Sequence, residues 1–565
     1  MTRYGSDIVV DVLVDLGIGH VAFNPGASFR GLHDSLVDRL DDGGPRLTMT
    51  LHEEIAVAAA HGYAKATGRP MAVALHDVVG LQHACMALFN AWCDRVPMLV
   101  LGATGPVDAA RRRPWIDWIH TANVQGSHVR DFVKWDDQPM SVPAAVESVQ
   151  RAYLLATTPP QAPTYVCLPV EVQEDAVEAH AELPPVRPVG RAAPDPSAID
   201  DVLGLIADSR RPIIVADRAA DRPGAFEALG ELALAIGAPL LDGGARFNVA
   251  TTHPNDLTGD ERQVLASADL LLAFEVADLA AVLAASPEPV TAQIVDVGLS
   301  HNLVGSWAAD YQRLVPVRVV LPADAGLTAR ALIDGWGRRG RARDAAEGRN
   351  REIVARHHAL REEWSAVAAG SSARTPISTA WLAHEIGRAI GGRDAVLSNG
   401  TLNGWARRLW DLDRPRAMLG GNGGGGIGYG IGASVGAGLA ARDEGRMVVN
   451  LQPDGDLLYA PSALWTMAHE ALPVLTVVWN NGGYRNSEEH AERVALARSR
   501  SVDRAGIGNR IEAPAVDIAV LARAYGIPAE GPVESPGDLR AALGRAVSAV
   551  ADGGPALVEV RAAAR

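Results

Sequence analysis

Cysteine is scarce. The 565 residues hold three, Cys85, Cys93 and Cys167, with no CxxC spacing among them. That argues against a disulfide scaffold or a cysteine-built zinc site and fits a reducing, cytoplasmic compartment. Apolar residues make up 48% of the chain, yet they never run long enough to suggest a membrane span. The opening MTRYGSDIVVDVLVDLG carries acidic residues inside its apolar pattern, unlike a secretory signal. Positive charge is in deficit: 52 Lys and Arg face 67 Asp and Glu, for a net charge of −15. This balance argues against nucleic acid or an anionic membrane as the main partner. Short-period repeats are lacking too. The 57 glycines cluster at loop positions and are not periodic, so a collagen-like chain is out.

What is present is an alternation of strand-like and helix-like segments. Residues 4–17 have apolar spacing of a helix, and Val21-Ala22-Phe23 reads as a strand stopped by Asn24-Pro25-Gly26. A helix follows over about 31–40. The alternation continues to the strand Thr164–Pro169, which implies a parallel sheet with helices on both faces. Residues 181–198 are rich in Pro, Arg and Ala and read as a linker. Pro212–Ala216 opens a second α/β unit, residues 336–374 read as a second linker, and Thr375-Pro376 opens a third unit. The expected fold is α/β, with three doubly wound parallel-sheet domains at 1–180, 195–340 and 372–565.

The densest chemistry lies between Asn450 and Tyr484. The apolar run Met447–Leu451 breaks at Pro453-Asp454-Gly455-Asp456. A helical stretch with Leu464, Met467, Ala468 and Leu472 follows, then the apolar run Val474–Trp479, which ends in Asn480-Asn481-Gly482-Gly483. In a parallel sheet both strand ends fall on the ligand-binding edge. Asp454 and Asn481, 27 positions apart, can therefore converge on one ion. A carboxylate, an amide oxygen and a backbone carbonyl suit Mg²⁺ beside a phosphate. An ordinary strand–helix–strand unit with turn residues at its ends fits the same letters.

A second stretch, LHEEIAVAAAHGYAKATGRP, begins at Leu51. Its small residues Ala56, Ala58, Ala59 and Ala60 let a partner backbone or ring approach closely. Glu53 stands at the helix start, where the dipole favours its charge and burial opposes it.

These two motifs together resemble the thiamine-diphosphate-dependent enzymes of the pyruvate oxidase/decarboxylase superfamily. The diphosphate signature there is a GDG followed nearly thirty residues later by NN; here Pro453 replaces its first glycine. The resemblance implies Asp454, Asn481 and the Gly483 carbonyl as Mg²⁺ ligands, and Gly455, Asp456 and Tyr484 beside the cofactor. Glu53, separated by eight residues from Gly62-Tyr63-Ala64, matches the glutamate that hydrogen-bonds N1′ of the aminopyrimidine. Ile427, after the glycine run Gly420–Gly426, matches the residue that props the cofactor, with Gly426 beside it. Asn403, in Ser398-Asn399-Gly400-Thr401-Leu402-Asn403, falls where diphosphate oxygens bind.

Phe23-Asn24-Pro25-Gly26-Ala27-Ser28, Leu75-His76-Asp77, Leu88–Trp92 and Ser462–Thr466 look like the benzoylformate decarboxylase branch. The resemblance implies His76 as a proton relay and Ser28 as its neighbour, with Ala27 in the branch's serine position. His52 and His83 stay open between site and structural roles. Arg111-Arg112-Arg113 beside Trp115 and Trp118 could take a substrate carboxylate or a coenzyme A phosphate, or form a solvated loop. Glu488, Glu489 and His490 read equally as acid–base groups or as a charged helix face.

The resemblance further implies a 2-oxoacid or 2-hydroxyacyl substrate and a homodimer or homotetramer with active sites at the subunit interface. The activity expected is C–C cleavage or formation, a 2-oxoacid decarboxylase or carboligase. A 2-hydroxyacyl-CoA lyase or oxalyl-CoA decarboxylase, and an acetolactate synthase-like enzyme, are alternatives, with FAD or coenzyme A/ADP in the middle domain left open. A non-catalytic member is disfavoured by Glu53, Asp454 and Asn481 occurring together.

Overall fold

The computed structural model describes residues 2–177, 185–300, 313–338, 343–400 and 402–563. Contacts divide the chain into two compact units. The first comprises 1–49, 64–362 and 411–425, the second 50–63, 363–410 and 426–565.

The first unit contains two parallel sheets. One has six strands in the order Arg46–Met49, His20–Phe23, Ala72–Leu75, Met98–Thr104, Pro163–Pro169 and Asp136–Asp137. Its central strands are buried along their whole length, as the apolar runs of a sheet covered on both faces must be. The helices Gly5–Asp15 and Val142–Thr157 pack on it, and Val9, Val12, Leu13, Val149 and Ala152 join its core. The other sheet has five strands, in the order Leu240–Asp242, Pro212–Ala216, Leu270–Phe274, Gln293–Val297 and Val319–Leu321.

The second unit is built on a five-stranded parallel sheet ordered Ala395–Gly400, Met447–Pro453, Val474–Asn480, Ala556–Arg561 and Ala529–Val533. Pro453 pairs with Trp479, so the first apolar run of the motif stays in the sheet through Pro453. The helical stretch that follows is split into Asp454–Tyr459 and Ala463–His469, because Pro461 supplies no amide donor within the intervening turn.

Two linker expectations change. The helix Pro196–Asp208 starts inside the first, with the Asp195 carboxylate accepting the Ser197 N–H at its N-terminus. Part of that linker, residues 181–184, lies outside the described residues. The second holds a 28-residue helix, Arg343–Gly370. Its first half is anchored within the first unit: Arg349 donates to the Gly237 and Ile236 carbonyls, and Arg356 pairs with Asp260. Its charged sequence reads as a linker because these partners are more than ninety residues away.

Among the described residues no helix is long and apolar enough to cross a membrane. None of the three cysteines forms a disulfide.

Candidate active site

In the second unit, three adjacent parallel strands end at one edge of the sheet, delivering Asn399, Gln452, Asn480 and the residues just beyond them. Asp454 follows directly as the first residue of its helix and is almost wholly buried. Burial raises its carboxyl above the ordinary range, and the backbone N–H groups of Gly455, Asn481 and Gly483 pull it back. The carboxylate thus ties the ends of two strands together. One of its oxygens, Oδ1, is buried with no hydrogen-bond partner, and so is the side-chain oxygen Oδ1 of Asn481. The Gly483 carbonyl already accepts the Arg485 N–H at 3.1 Å, with a second lone pair remaining.

Glycine is required here by geometry. Gly482 and Gly483 have φ of 81° and 149°, in the region side chains disfavour. A Cβ on Gly455 would stand 2.7 Å from the Tyr484 ring, whose hydroxyl donates to the Gly455 carbonyl at 3.3 Å.

Asp456 organises a second layer. One of its oxygens accepts the Gly428 N–H, the other the Gln452 side-chain amide, and Gln452 Oε1 accepts from Asn399 Nδ2. Asp456 therefore fixes the start of the helix Tyr429–Glu444, two residues beyond Ile427, which is 40% exposed. Asn403 is exposed, with a left-handed φ of 50°.

The alanines after Glu53 meet a backbone. A Cβ on Gly62 would lie 2.0 Å from the Ala433 carbonyl oxygen, and one on Gly436 only 1.8 Å from that of Ala59. Two helices touch main chain to main chain, which only small residues allow. At the head of this contact both glutamates are buried, Glu53 at 4% and Glu54 at 8% exposure. Burial, and then the negative Asp456 nearby, push the Glu54 carboxyl up to about 7. Glu54 Oε1 has no hydrogen-bond partner and faces Gly428. Spacing singled out Glu53 alone; the raised Glu54 depends first on its burial in the folded chain and then on Asp456, four hundred residues away, and left no local signal.

In the first unit, Ser28 and His76 do meet. Ser28 Oγ lies 2.8 Å from His76 Nδ1 and accepts the Asp77 N–H at 3.1 Å. Gly26 lies under the imidazole, where a Cβ would come within 2.5 Å of it. Asp77 is buried; that burial raises its carboxyl, while Ser28 and the nearby His76 and His120 lower it. His120, last residue of the short helix Ile116–His120, stands edge-on to His76 with ring centroids 5.4 Å apart. Asp77 and His120 lie in stretches the sequence reading had marked, without a role for either.

The arginine loop does not present free cations. Arg111 pairs with Asp175, Arg113 with Asp117, and Arg112 donates to the Pro106 and Val107 carbonyls. Trp115 and Trp118 are 68% and 78% exposed. Glu488 is also committed: it is buried between Arg510 and Arg485, which hold its carboxyl below the usual range, so it serves the helix Arg485–Ala497 as a structural ion pair. His83 lies exposed on the helix Asp77–Cys93. His52 Nδ1 accepts the Glu54 N–H at 3.1 Å.

Known proteins agree with this picture. Residues 3–126 match the thiamine pyrophosphate enzyme N-terminal TPP binding domain, and residues 398–560 the thiamine pyrophosphate enzyme C-terminal TPP binding domain. Benzoylformate decarboxylase of Pseudomonas aeruginosa is 26% identical over 500 residues, 86% of each chain. Acetolactate synthase of Bacillus subtilis is 23% identical over 573 residues, 98% of this chain and 92% of its own. The solved thiamine diphosphate-dependent 4-hydroxybenzoylformate decarboxylase of Rhodococcus jostii RHA1 superposes with a TM-score of 0.76 at 22% identity, over 99% of both chains. The chain belongs to the thiamine pyrophosphate enzyme family.

Proposed function

We propose that this protein is a Mg²⁺-dependent carbon–carbon lyase of that family, acting as a 2-oxoacid decarboxylase with carboligase capacity. The observation that carries the cofactor assignment is the pair of unpartnered, buried oxygens, Asp454 Oδ1 and Asn481 Oδ1. Leaving two such acceptors unsatisfied is costly, and a divalent cation with a taste for oxygen offsets that cost. The residues therefore fit a diphosphate held through Mg²⁺, with the Gly483 carbonyl as the third protein ligand. When bound, thiamine diphosphate supplies an electron sink for the bond-breaking step.

The chain's own residues then divide the work. Glu53 is the proposed partner of the aminopyrimidine N1′. Asp456 holds the backbone leading from Ile427, and Gly426 and Ile427 shape the cofactor's seat. Gly455 and Tyr484 close its diphosphate side, with Asn403 a further oxygen-binding contact. Ser28 orients His76, whose imidazole moves substrate protons. The domains proposed are 1–180 for the pyrimidine, 195–340 as the middle domain and 372–565 for the diphosphate. A homodimer or homotetramer with interfacial active sites, working in the cytoplasm, completes the proposal.

The decarboxylase reading is favoured over acyl-CoA chemistry because Arg111, Arg112 and Arg113 are already engaged within the chain. Purified holoenzyme should release CO₂ from members of a panel of 2-oxoacids and leave 2-hydroxyacyl-CoAs intact. Cleavage of a 2-hydroxyacyl-CoA with no turnover of any 2-oxoacid would overturn it.

A further inference from the structure

We propose that His76, Asp77 and His120 form a site for one transition-metal dication of the Zn²⁺ type, separate from the Asp454–Asn481 pair. The three residues each offer a ligand atom, and these atoms lie within 4.8 Å of one another. Asp77 gives the decisive sign. Its side chain is 5% exposed, yet its Oδ1 has no hydrogen-bond partner and lies 3.8 Å from His76 Nδ1. A buried carboxylate oxygen without a hydrogen-bond donor, on a residue whose ligand atom lies within 4.8 Å of those of two imidazoles, is a group prepared for a cation.

The surroundings hold the ligands in place. His76 precedes the helix Asp77–Cys93 and is wedged above Gly26. Ser28 engages His76 Nδ1 and the Asp77 backbone N–H together, which leaves His76 Nε2 as the ring nitrogen for a metal and makes Ser28 the kind of outer contact that orients metal ligands. Asp117, on the same short helix as His120, is spoken for by Arg113 and stays out of the site.

The donor set selects the ion. Two imidazoles and one carboxylate suit Zn²⁺ or Co²⁺ and leave a fourth position for water, whereas Mg²⁺ prefers oxygen donors throughout. Coordination would also occupy the His76 lone pair. If His76 relays protons as proposed above, the metal is then an inhibitor, a consequence that rests on that reading.

Binding can be measured with neither substrate nor cofactor. The full chain, stripped with chelator, is titrated with Co²⁺ in excess Mg²⁺ and followed by visible d–d absorption. One equivalent should bind, displaced by Zn²⁺ and not by further Mg²⁺. His120→Ala and Asp77→Asn should each weaken it by more than the ~10–100-fold typical of losing an outer contact. Ser28→Ala should fall within that range. His120, half-buried on a five-residue helix, is the safer variant for folding, checked by far-UV circular dichroism. No bound Co²⁺, displacement by Mg²⁺, or unchanged affinity in folded His120→Ala would overturn the proposal. Each of those results leaves the Asp454–Asn481 assignment standing, so the two readings fail separately.

Discussion

Asp94 sits at the centre of a buried ionic cluster in the first unit, and its removal should be among the most damaging single changes there. Asp94 Oδ2 accepts from Lys65 Nζ at 2.8 Å and Oδ1 from Arg246 Nη1 at 2.7 Å; the side chains of Lys65, Asp94 and Arg246 are 1%, 0% and 6% exposed. Arg246 also pairs with Asp221 at 2.7 Å, and Lys65 donates to the Gly421 carbonyl. Burial drags the Lys65 ammonium down to about 8 even with Asp94 supporting it. Asp94→Leu removes the carboxylate that the buried Lys65 Nζ meets at 2.8 Å, and breaking a buried pair by removing one partner typically costs about 3–5 kcal/mol. Adding Lys65→Met replaces the pair by apolar groups, which is commonly far cheaper than leaving one charge behind. The double variant should therefore be more stable than Asp94→Leu alone, with a coupling of about 2 kcal/mol.

The pH dependence follows from the same group. A lysine whose folded pKa lies near 8, below its ordinary 10.5, gives up its proton in the folded state first. Between those values the unfolded chain holds more protons, so this group's contribution to stability rises with pH through that window. Urea unfolding followed by tryptophan fluorescence, from pH 7.5 to about 10, tests both points. Wild type should gain relative to Lys65→Met as pH rises. The reasoning is refuted if Asp94→Leu unfolds within about 1 kcal/mol of wild type, or if the double variant is no more stable than the single.

Three further outcomes are expected. Asp454→Ala should abolish retention of thiamine diphosphate through dialysis against EDTA while far-UV circular dichroism stays unchanged; full occupancy by absorbance after dialysis counts against the metal assignment. Glu53→Gln should slow C2 hydrogen–deuterium exchange of bound cofactor by orders of magnitude in acid-quench NMR, with Glu54→Gln the milder change; the reverse order would transfer the role to Glu54, whose carboxyl already stands near 7. Gly436→Val should fail to yield soluble protein, since its Cβ would sit 1.8 Å from a carbonyl oxygen, whereas Gly544→Ala, with open space around it and an exposed helical position, should raise the thermal midpoint slightly.

Local chemistry was legible in the letters. The strand runs at Met447 and Val474, the turn residues after them and the spacing of Asp454 to Asn481 are contiguous patterns, and neighbouring parallel strands bring them to one edge. Periodicity likewise marked Glu53 at a helix start, and the structure begins that helix at Glu53. Tertiary structure decided what depends on distant partners. Whether Arg111 and Glu488 were free or paired turned on Asp175 and Arg510, and whether 343–370 was linker or helix turned on carbonyls and carboxylates of the five-stranded sheet region. Lys65, Asp94 and Arg246 meet across as many as 152 positions, and His76 finds His120 only because a short helix folds back beside it. A sequence displays its periodicities and turns residue by residue, whereas a buried charge or an unpartnered oxygen is defined by what chain folding brings next to it.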